Sequence, residues 1–350
     1  MQNHRSTIKD LARVAKVSAS TVSRALNNHP RISQKRKQDI AKLAKKMGYL
    51  PSFLARGLVT KKTFLIGLLV YDFRNFFYAE LTRAIQEAAE ELGYWVLQGS
   101  TDDDPEKTTH LVNSMTRIGV EGIIFASCTL HDPIVEEMVK KQFPVVLANR
   151  RLDKDIGDQV VLDNTYGSYL AVSHLLHLDH RRVGMIRGPQ DLSTSEDRYR
   201  GYVAALKEKG LAIDKKITKT GPLTQESGYQ LALKMMRVAN PPSAIFCCDD
   251  NVALGAMKAL SELGLRVPQD VGLVGFDDAE ISSHPLIQLT TVSQDTQEMG
   301  RLAARMMVHR IEGKLDVPQK KLLKPHLVVR QSCGYKLTAN GEKGKRVQLV

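Results

Sequence analysis

Short apolar segments alternate with amphipathic segments along most of this 350-residue chain, and this alternation limits the fold more than any other feature. The apolar segments predict buried strands at 64–71, 94–97, 122–126 and 145–148, and again at 183–186, 244–247 and 271–275. Helical spacing of apolar residues falls between them, at 79–92, 107–117, 133–141, 166–178, 198–209, 227–236 and 252–263. Strands alternating with helices predict parallel sheets covered on both faces. The two sets therefore predict an α/β body of two doubly wound parallel-sheet lobes, with a cleft between strand ends.

The first 62 residues have a different character, because they carry the whole charge excess of the chain. They contain 15 Lys and Arg against two acidic residues, a formal charge of +13, whereas the remaining 288 residues carry 35 basic and 36 acidic residues. Clustered Lys and Arg give sequence-independent affinity for phosphates. A nucleic acid is thus the first partner that the composition suggests.

Three short helices are predicted within this basic segment. Thr7 and Ser18 are typical N-caps of two helices joined by a tight turn, and Ser33 is typical of the start of a third. Such a pair predicts a helix-turn-helix. The outward face of the second helix carries small or polar residues that a duplex can approach: Ala19, Ser20, Ser23, Arg24 and Asn27. A chance three-helix bundle with a polar face is the alternative, and the charge disfavours it.

Residues 51–59 form a segment too short to be a stable isolated helix. Leu58 lies near Arg56 and two lysines, so it has the chemistry of a wedge between base steps in a minor groove. Packing of Leu54 with Leu58 at i, i+4 is the plainer interpretation, and spacing alone favours it.

No chemistry of catalysis or metal binding is predicted. His174, His177 and His180 drift around a helix and have no Cys or carboxylate spaced to complete a metal shell. Asp102, Asp103 and Asp104 precede Pro105, which is typical of a helix start rather than a Mg²⁺ site. The spacing of the four cysteines does not suggest disulfide pairs, so we predict reduced thiols. We expect neither a metal nor a cofactor.

The longest apolar run, of eight residues, is far short of a membrane span, and a signal peptide is not apparent at the start.

The head resembles a known family in three stretches: residues 7–12, 17–27 and 48–51, continuing through 55–58. These resemble the N-terminal signature of the lac repressor and gal repressor family of bacterial transcription regulators. The resemblance implies base contacts from Ala19, Ser20 and Arg24, phosphate contacts from Thr21, Ser23, Asn27 and Ser33, and minor-groove insertion of Leu58. The full DNA-contacting set adds Thr7, Tyr49, Ser52 and Ala55. Lys16 stands where many members have Gly, and positive φ there would cost about 1 kcal/mol.

Signatures at 255–257, 265–271, 274–278 and 289–292 extend the resemblance to a type I periplasmic-binding-protein-like body in which the chain crosses three times between lobes. The implied organisation is a helix-turn-helix domain (1–50), a hinge helix and linker (51–62), an effector-binding and dimerisation domain (63–335) and a basic tail (336–350). Within the third domain, the N-lobe would be 63–163 plus 292–322, and the C-lobe 164–291 plus 323–335.

Polar side chains at the strand ends are the candidate effector contacts. From the N-lobe they are Asp72, Asn75, Phe77, Asp102, Ser127, Asn149 and Arg150; from the C-lobe and a crossover they are Thr194, Arg198, Asp249, Asp277 and Gln294. Carboxylates, amides and arginines pair with sugar hydroxyls, and an aromatic ring stacks on an apolar ring face. The resemblance makes Arg198 an effector anchor and Asp277 a polar contact. For any one residue a helix cap or a lobe-bridging ion pair is an equal alternative.

The sequence thus predicts a cytoplasmic, nucleoid-associated, homodimeric transcription regulator, most simply a repressor, that binds a pseudopalindromic operator. A sugar, sugar acid or sugar phosphate is the expected effector, ahead of a purine, and inducer and corepressor action both stay open. The tail lacks an apolar heptad run, so a tetramerising coiled coil is not expected. The alternatives are a transport-type binding protein, a sugar enzyme fused to a DNA-binding head, and, within the regulator class, control by a phosphocarrier protein. The first two are disfavoured by the +13 head and by the missing nucleophile or acid–base pair.

Overall fold

The computed structural model describes residues 7–26, 29–49 and 62–334, and the chain divides into two compact units between Thr63 and Phe64. The first unit contains α1 (Ile8–Val14), α2 (Ala19–Leu26) and α3 (Gln34–Lys46). Their apolar faces meet in one small core formed by Leu11, Ala12, Val22, Ala25, Ile40 and Ala44. The predicted three-helix head is confirmed.

Local chemistry fixes the ends of these helices. Thr7 and Asp10 form a reciprocal capping box at α1, and the Ser18 hydroxyl accepts the Thr21 N–H at 3.1 Å. Lys16, in the tight turn, has φ 52°, the left-handed conformation that glycine adopts at lower cost. Ser33 occupies the N-cap position of α3, as predicted, although its side chain makes no capping hydrogen bond.

In the second unit, a parallel sheet joins strands in the order β11-β5-β4-β3-β1-β2. Its strands are β1 (Leu65–Val70), β2 (Trp95–Ser100), β3 (Gly122–Phe125), β4 (Val145–Ala148), β5 (Asp158–Leu162) and β11 (Lys320–Leu323). Its helices are α4 (Phe76–Glu91), α5 (Pro105–Ile118), α6 (Pro133–Lys140) and α11 (Thr296–Ile311). This sheet and its helices form the N-lobe.

A second parallel sheet has the order β7-β6-β8-β9 and forms the C-lobe. Its strands are β6 (Val183–Arg187), β7 (Thr218–Thr220), β8 (Ala244–Cys247) and β9 (Gly272–Val274). Its helices are α7 (Asn164–His177), α8 (Ser193–Glu208), α9 (Gln225–Met236) and α10 (Asp250–Glu262). The central strands are buried along their whole length, as the continuous apolar segments predict.

The chain passes between the lobes three times, as the resemblance implies. It leaves the N-lobe after β5, returns after β10 (Thr291–Ser293), and leaves again between β11 and β12 (His326–Val328). β10 and β12 pair in antiparallel fashion at the crossovers. Sequence patterning misses β5, β7, β10, β11 and β12, since most of these strands are short and several are partly exposed or polar.

Direct contacts join the lobes on both sides of the crossovers. The guanidinium of Arg151 pairs with both carboxylate oxygens of Asp197 at 2.9 and 3.0 Å. The backbone N–H of Leu130 donates to the Asp191 carbonyl at 2.7 Å, and the backbone N–H of Glu280 donates to Glu80 at 2.9 Å. These contacts join the two lobes near the carboxyl ends of their sheets, where the sequence predicts the cleft.

Candidate functional sites: a basic helical head and an interlobe cleft

Helix α2 presents hydroxyls and one arginine to solvent. Ser20 and Arg24 are exposed, and Thr21 and Ser23 are partly exposed. The Ser18 hydroxyl lies 2.8 Å from each of the Ser20 and Thr21 hydroxyls, so the first turn is ordered by its own side chains. Ala19 is partly buried against the helical core, which makes it a less accessible member of the predicted base-contacting face. Arg24 has the longest side chain on this surface, and it ends in hydrogen-bond donors.

The remaining predicted DNA contacts divide into two groups. Thr7 and Ser33 are exposed and Tyr49 is partly exposed. The others, Asn27, Ser52, Ala55 and Leu58, lie outside the described residues.

Arg150 forms the N-lobe wall of the cleft, directly after β4. Its guanidinium is fully buried, and Nη1 donates to Asp103 Oδ1 at 2.6 Å and to the Ser127 carbonyl at 3.3 Å. Its Cζ lies 5.5 Å from the ring centroid of Tyr71 and 5.9 Å from that of Tyr78. One arginine thus spans the strand ends of β4 and β3 and the loop after β2, beside two aromatic rings that lie edge-on to each other with centroids 6.1 Å apart.

Arg198 forms the C-lobe wall, from helix α8. Its Nε donates to Asn164 Oδ1 at 2.8 Å, and Nη1 donates to the Cys248 carbonyl at 2.5 Å and lies 3.5 Å from Asp277 Oδ1. Its Cζ sits 3.6 Å from the centroid of the Phe276 ring. The crossover amide of Gln294 donates to the same Asp277 oxygen at 2.5 Å. Groups from several C-lobe segments thus surround the Arg198 guanidinium, and Arg198 and the crossover residue Gln294 meet at one buried carboxylate.

The two walls touch through polar side chains. Asn75 caps α4 by accepting the Phe77 N–H, and its Nδ2 donates to Asp249 Oδ2 at 3.3 Å across the cleft. Asp249 in turn caps α10 by accepting the Val252 N–H at 2.7 Å. Both residues are therefore helix caps and also contacts between the lobes. The sequence leaves the helix cap and the lobe-bridging contact open as alternative roles, and here each residue has both.

Not every predicted effector residue joins this cluster. Asp72 is buried and pairs with the exposed Arg74, and Asp102 pairs with Lys107 at the surface. Phe77 packs edge-on to Tyr78 in the apolar core, with ring centroids 5.1 Å apart. Thr194 is buried in the first turn of α8. The structure brings together Asn75, Ser127, Asn149, Arg150, Arg198, Asp249, Asp277 and Gln294.

Sequence reasoning misses three members of the cluster: Tyr71, Tyr78 and Asp103. Asp103, rather than its neighbour Asp102, pairs with Arg150 because residues 102 and 103 both adopt positive φ and turn the chain at this point. Tyr78 follows Asn75 by one helical turn, a spacing that could have found it. Its hydroxyl lies 3.5 Å from Asn149 Nδ2.

Burial dominates the electrostatics of the cleft. It raises the pKa of Asp249 and Asp277, although Arg198 lowers both. It also raises the pKa of the Tyr78 phenol, on which Arg150 and Asp103 of one lobe and Asp277 and Arg198 of the other all act. The phenol therefore stays neutral and can donate as well as accept a hydrogen bond.

Asp250 lies behind the cleft, where it ties α10 to the segment after β9. It accepts from the Ala279 N–H, the Ser282 hydroxyl and the Thr291 hydroxyl, at 3.0, 2.7 and 2.6 Å. Burial raises the pKa of this carboxyl from 3.8 to about 7. At this carboxyl the folded chain therefore binds more protons than the unfolded chain between about pH 4 and 7.

From this difference we expect the contribution of Asp250 to the free energy of unfolding to fall as the pH rises through that window. Asp250→Asn removes the titrating group, so the slope of the free energy of unfolding against pH should become less negative or more positive than in wild type, measured by urea denaturation at pH 5, 6, 7 and 8. Asp179→Asn, at an exposed surface position, is the matched control and should leave the wild-type slope. If the free energy of unfolding of Asp250→Asn changed with pH in the same way as that of wild type, the raised pKa of Asp250 would be contradicted.

The three histidines have separate partners. Burial lowers the pKa of His174 to about 4, and its Nε2 lies 3.3 Å from the Cys333 sulfur. The Nδ1 atom of His177 contacts the Ser173 carbonyl, and that of His180 contacts the Ser243 hydroxyl.

Within residues 7–26, 29–49 and 62–334, a group of three or more His, Cys, Asp or Glu able to hold a metal ion is not found. The same part of the chain has no helix long and apolar enough to span a membrane.

Comparisons with known proteins cover both units. The model of "Bacterial regulatory proteins, lacI family" matches residues 7–52, and that of "Periplasmic binding protein-like domain" matches residues 172–333. The HTH-type transcriptional regulator DegA of Bacillus subtilis (strain 168) is 37% identical over 333 residues, which is 94% of this chain and 98% of DegA.

Two solved structures are similar to nearly the whole chain. A complex of the transcriptional regulator CelR with cellobiose has a TM-score of 0.72 and 29% identity, covering 94% of this chain and 100% of CelR. The lac repressor dimer bound to operator and the anti-inducer ONPF has a TM-score of 0.84 and 26% identity, covering 94% and 99%. The similarity thus extends over the head and both lobes.

Proposed function

This chain belongs to the lacI family of bacterial regulatory proteins, and from that membership we propose that it is a repressor whose operator affinity is set by a small molecule in the interlobe cleft. It is a transcriptional regulator, as its relatives are, and not an enzyme. The proposal extends to binding of a pseudopalindromic operator as a homodimer, in the cytoplasm. The observation that carries the effector part is the convergence of buried polar side chains from both lobes.

The effector proposed is a sugar or sugar derivative. Two carboxylates, two arginines and several amides meet in the cleft, a set that offers both acceptors and donors to hydroxyl groups. The rings of Tyr71 and Tyr78 add flat apolar surface beside them. The CelR structure, which contains cellobiose, has the same fold.

The DNA part rests on α2. Of the described side chains on its exposed face, Arg24 has the reach and the planar fork for a bidentate contact to guanine in the major groove. The short hydroxyls of Ser20, Thr21 and Ser23 suit backbone contacts or close approach. The domain limits 1–50, 51–62, 63–335 and 336–350 remain part of the proposal. So does a coupling role for the segment containing Leu58.

A selection from random duplexes gives the operator, and a thermal-shift screen against sugars, sugar acids, sugar phosphates and purines gives the effector. A ligand at 100 times its Kd stabilises the folded chain by about 2.7 kcal/mol, which a melting curve resolves. The proposal requires that the same ligand changes operator affinity. A ligand that binds the cleft without changing operator affinity would instead indicate a binding protein without regulatory output.

Arg24→Ala is expected to weaken binding of the selected operator by about 1–3 kcal/mol and to relax the preference at one base pair in each half-site. Fluorescence anisotropy with the operator and its single-base variants measures both effects. Lys35→Ala, at an exposed position in the first turn of α3, is the matched control. It should weaken all sequences alike and lower the salt slope by about one. An Arg24→Ala profile that is uniform across base variants would contradict base readout by this residue.

A further inference from the structure

The guanidinium of Arg150 makes hydrogen bonds through only one of its three nitrogen atoms in the described part of the chain. Its Nη1 donates to Asp103 and to the Ser127 carbonyl, whereas Nε and Nη2 are buried and have no hydrogen-bond partner in the described part of the chain. A buried donor without a partner costs about 1–3 kcal/mol. Arg150 carries two such atoms next to each other.

These two atoms form one edge of the guanidinium. Nε–H and Nη2–H point in parallel from the side opposite Nη1, and this edge matches the two coplanar oxygens of a carboxylate or phosphate. Asp103 occupies the other side and holds the plane in place, with the rings of Tyr71 and Tyr78 at 5.5 and 5.9 Å. The donors of the free edge are therefore fixed in orientation before any ligand arrives.

Other unpaired buried polar atoms belong to the same interlobe cluster as Arg150. Asn149, the residue before Arg150, also has a buried carbonyl oxygen, Oδ1, without a partner among the described residues. Gln294, at the crossover, has another, Oε1. Asp249 of the opposite lobe interacts electrostatically with Arg150. One fixed pair of donors and two separate acceptors thus occupy the cluster that both lobes build.

The nearby carboxylates do not hydrogen-bond to the Nε–Nη2 edge of this arginine. Asp249 is stabilised by the N-terminus of α10 and by the Asn75 amide, and Asp277 by Arg198 and Gln294. Asp103 is partly exposed, with 20% of its side chain accessible, and it pairs with Nη1 only. The Nε–Nη2 edge of Arg150 is therefore left without a carboxylate partner in the described part of the chain.

We propose that the Nε–Nη2 edge of Arg150 binds an oxyanion of the effector, so that the regulator responds to an acidic sugar rather than to its neutral parent. This inference rests on the proposed sugar effector and narrows it. The oxyanion is a carboxylate or a phosphate, since both present two oxygens in the required geometry. The hydroxyl groups of the same ligand would reach Asn149 and Gln294 as donors.

The test is calorimetric titration of the full chain with matched pairs: D-glucuronate with D-glucose, D-galacturonate with D-galactose, and glucose 6-phosphate with glucose. At least one acid should bind ten-fold or more tightly than its neutral parent. The pair that shows the preference separates a carboxylate from a phosphate.

Arg150→Lys is the informative variant. It keeps a positive charge for Asp103 but replaces the fork by one compact ammonium, so it should fold and lose most of the preference for the acid. Arg182→Lys is the matched control, because Arg182 also pairs with an aspartate and a carbonyl, Asp214 and that of Asn240, on the C-lobe away from the cleft. It should keep the wild-type preference. Thermal melting confirms that both variants fold.

Two results would overturn the inference while leaving a sugar effector in place: a neutral sugar that binds as tightly as its acid, or an equal weakening of acid and neutral ligand in Arg150→Lys. Absence of binding by every member of the panel would overturn the proposed sugar effector itself, and the inference with it.

Discussion

Replacing Arg198 by methionine is expected to lower the free energy of unfolding by about 3–5 kcal/mol, the largest single effect that we predict. Methionine keeps apolar contact with the Phe276 ring but removes the charge that lies 3.5 Å from Asp277 Oδ1. It also leaves the Cys248 carbonyl and the Asn164 amide oxygen without their buried donor. A buried carboxylate without a cation is the main source of the loss.

A second substitution tests that reason. Asp277→Asn removes the unbalanced charge, so the double variant should regain at least about 1 kcal/mol over Arg198→Met alone, a coupling of the size found for contacting residues. Urea denaturation at pH 7.5 measures both. Arg182→Met is the control, because its pair with Asp214 is about one-third exposed, and it should cost less than about 1 kcal/mol. A double variant no more stable than the single one would show that charge balance is not the cause.

The second large effect concerns Gly255, where α9 and α10 cross at close range. A Cβ atom at Gly255 would lie 1.9 Å from the Gln225 carbonyl oxygen, and one at Gly228 would lie 2.1 Å from the Val252 carbonyl oxygen. Each glycine thus faces the backbone of the other helix. Gly255→Ala must push the helices apart, and we expect it to lower the free energy of unfolding by about 3 kcal/mol.

The sign of this effect is diagnostic. Gly255 lies within α10, where alanine without a clash would stabilise the helix by about 1 kcal/mol. Gly210→Ala is the control: a Cβ there meets nothing within 4 Å, and only the φ of +69° opposes it. It should cost about 1 kcal/mol. If Gly255→Ala were as stable as wild type in urea, the two helices could move apart without any decrease in the free energy of unfolding, and the prediction would be wrong.

The helical head is the part that the sequence predicts most completely. Short helices with an apolar face, a Thr cap and a tight turn are local features, and charge clustering is visible without any structure. The two-lobed α/β body follows for the same reason, since long buried strands are continuous apolar segments. The short or partly exposed strands, such as β7 and β11, lack that signal, because what stabilises them is pairing with a distant strand.

The cleft is predicted only in outline. Residues after strands are visible in the sequence, and Arg150, Arg198, Asp249 and Asp277 are found in this way. The sequence does not show which of two neighbouring residues points into the cluster. Asp103 contacts Arg150, while Asp102 pairs with Lys107 at the surface. That choice depends on two backbone torsions and on the position of a guanidinium 47 residues away in the chain.

The sequence by itself therefore determined the basic head, the α/β lobes and the family, because these depend on local periodicity, charge and motif. Only the tertiary structure decided which polar groups meet, how each buried charge is balanced, and which donors of Arg150 remain free. Those properties depend on side chains from separate segments packed at low dielectric, where a hydrogen bond made or missing changes the energy most.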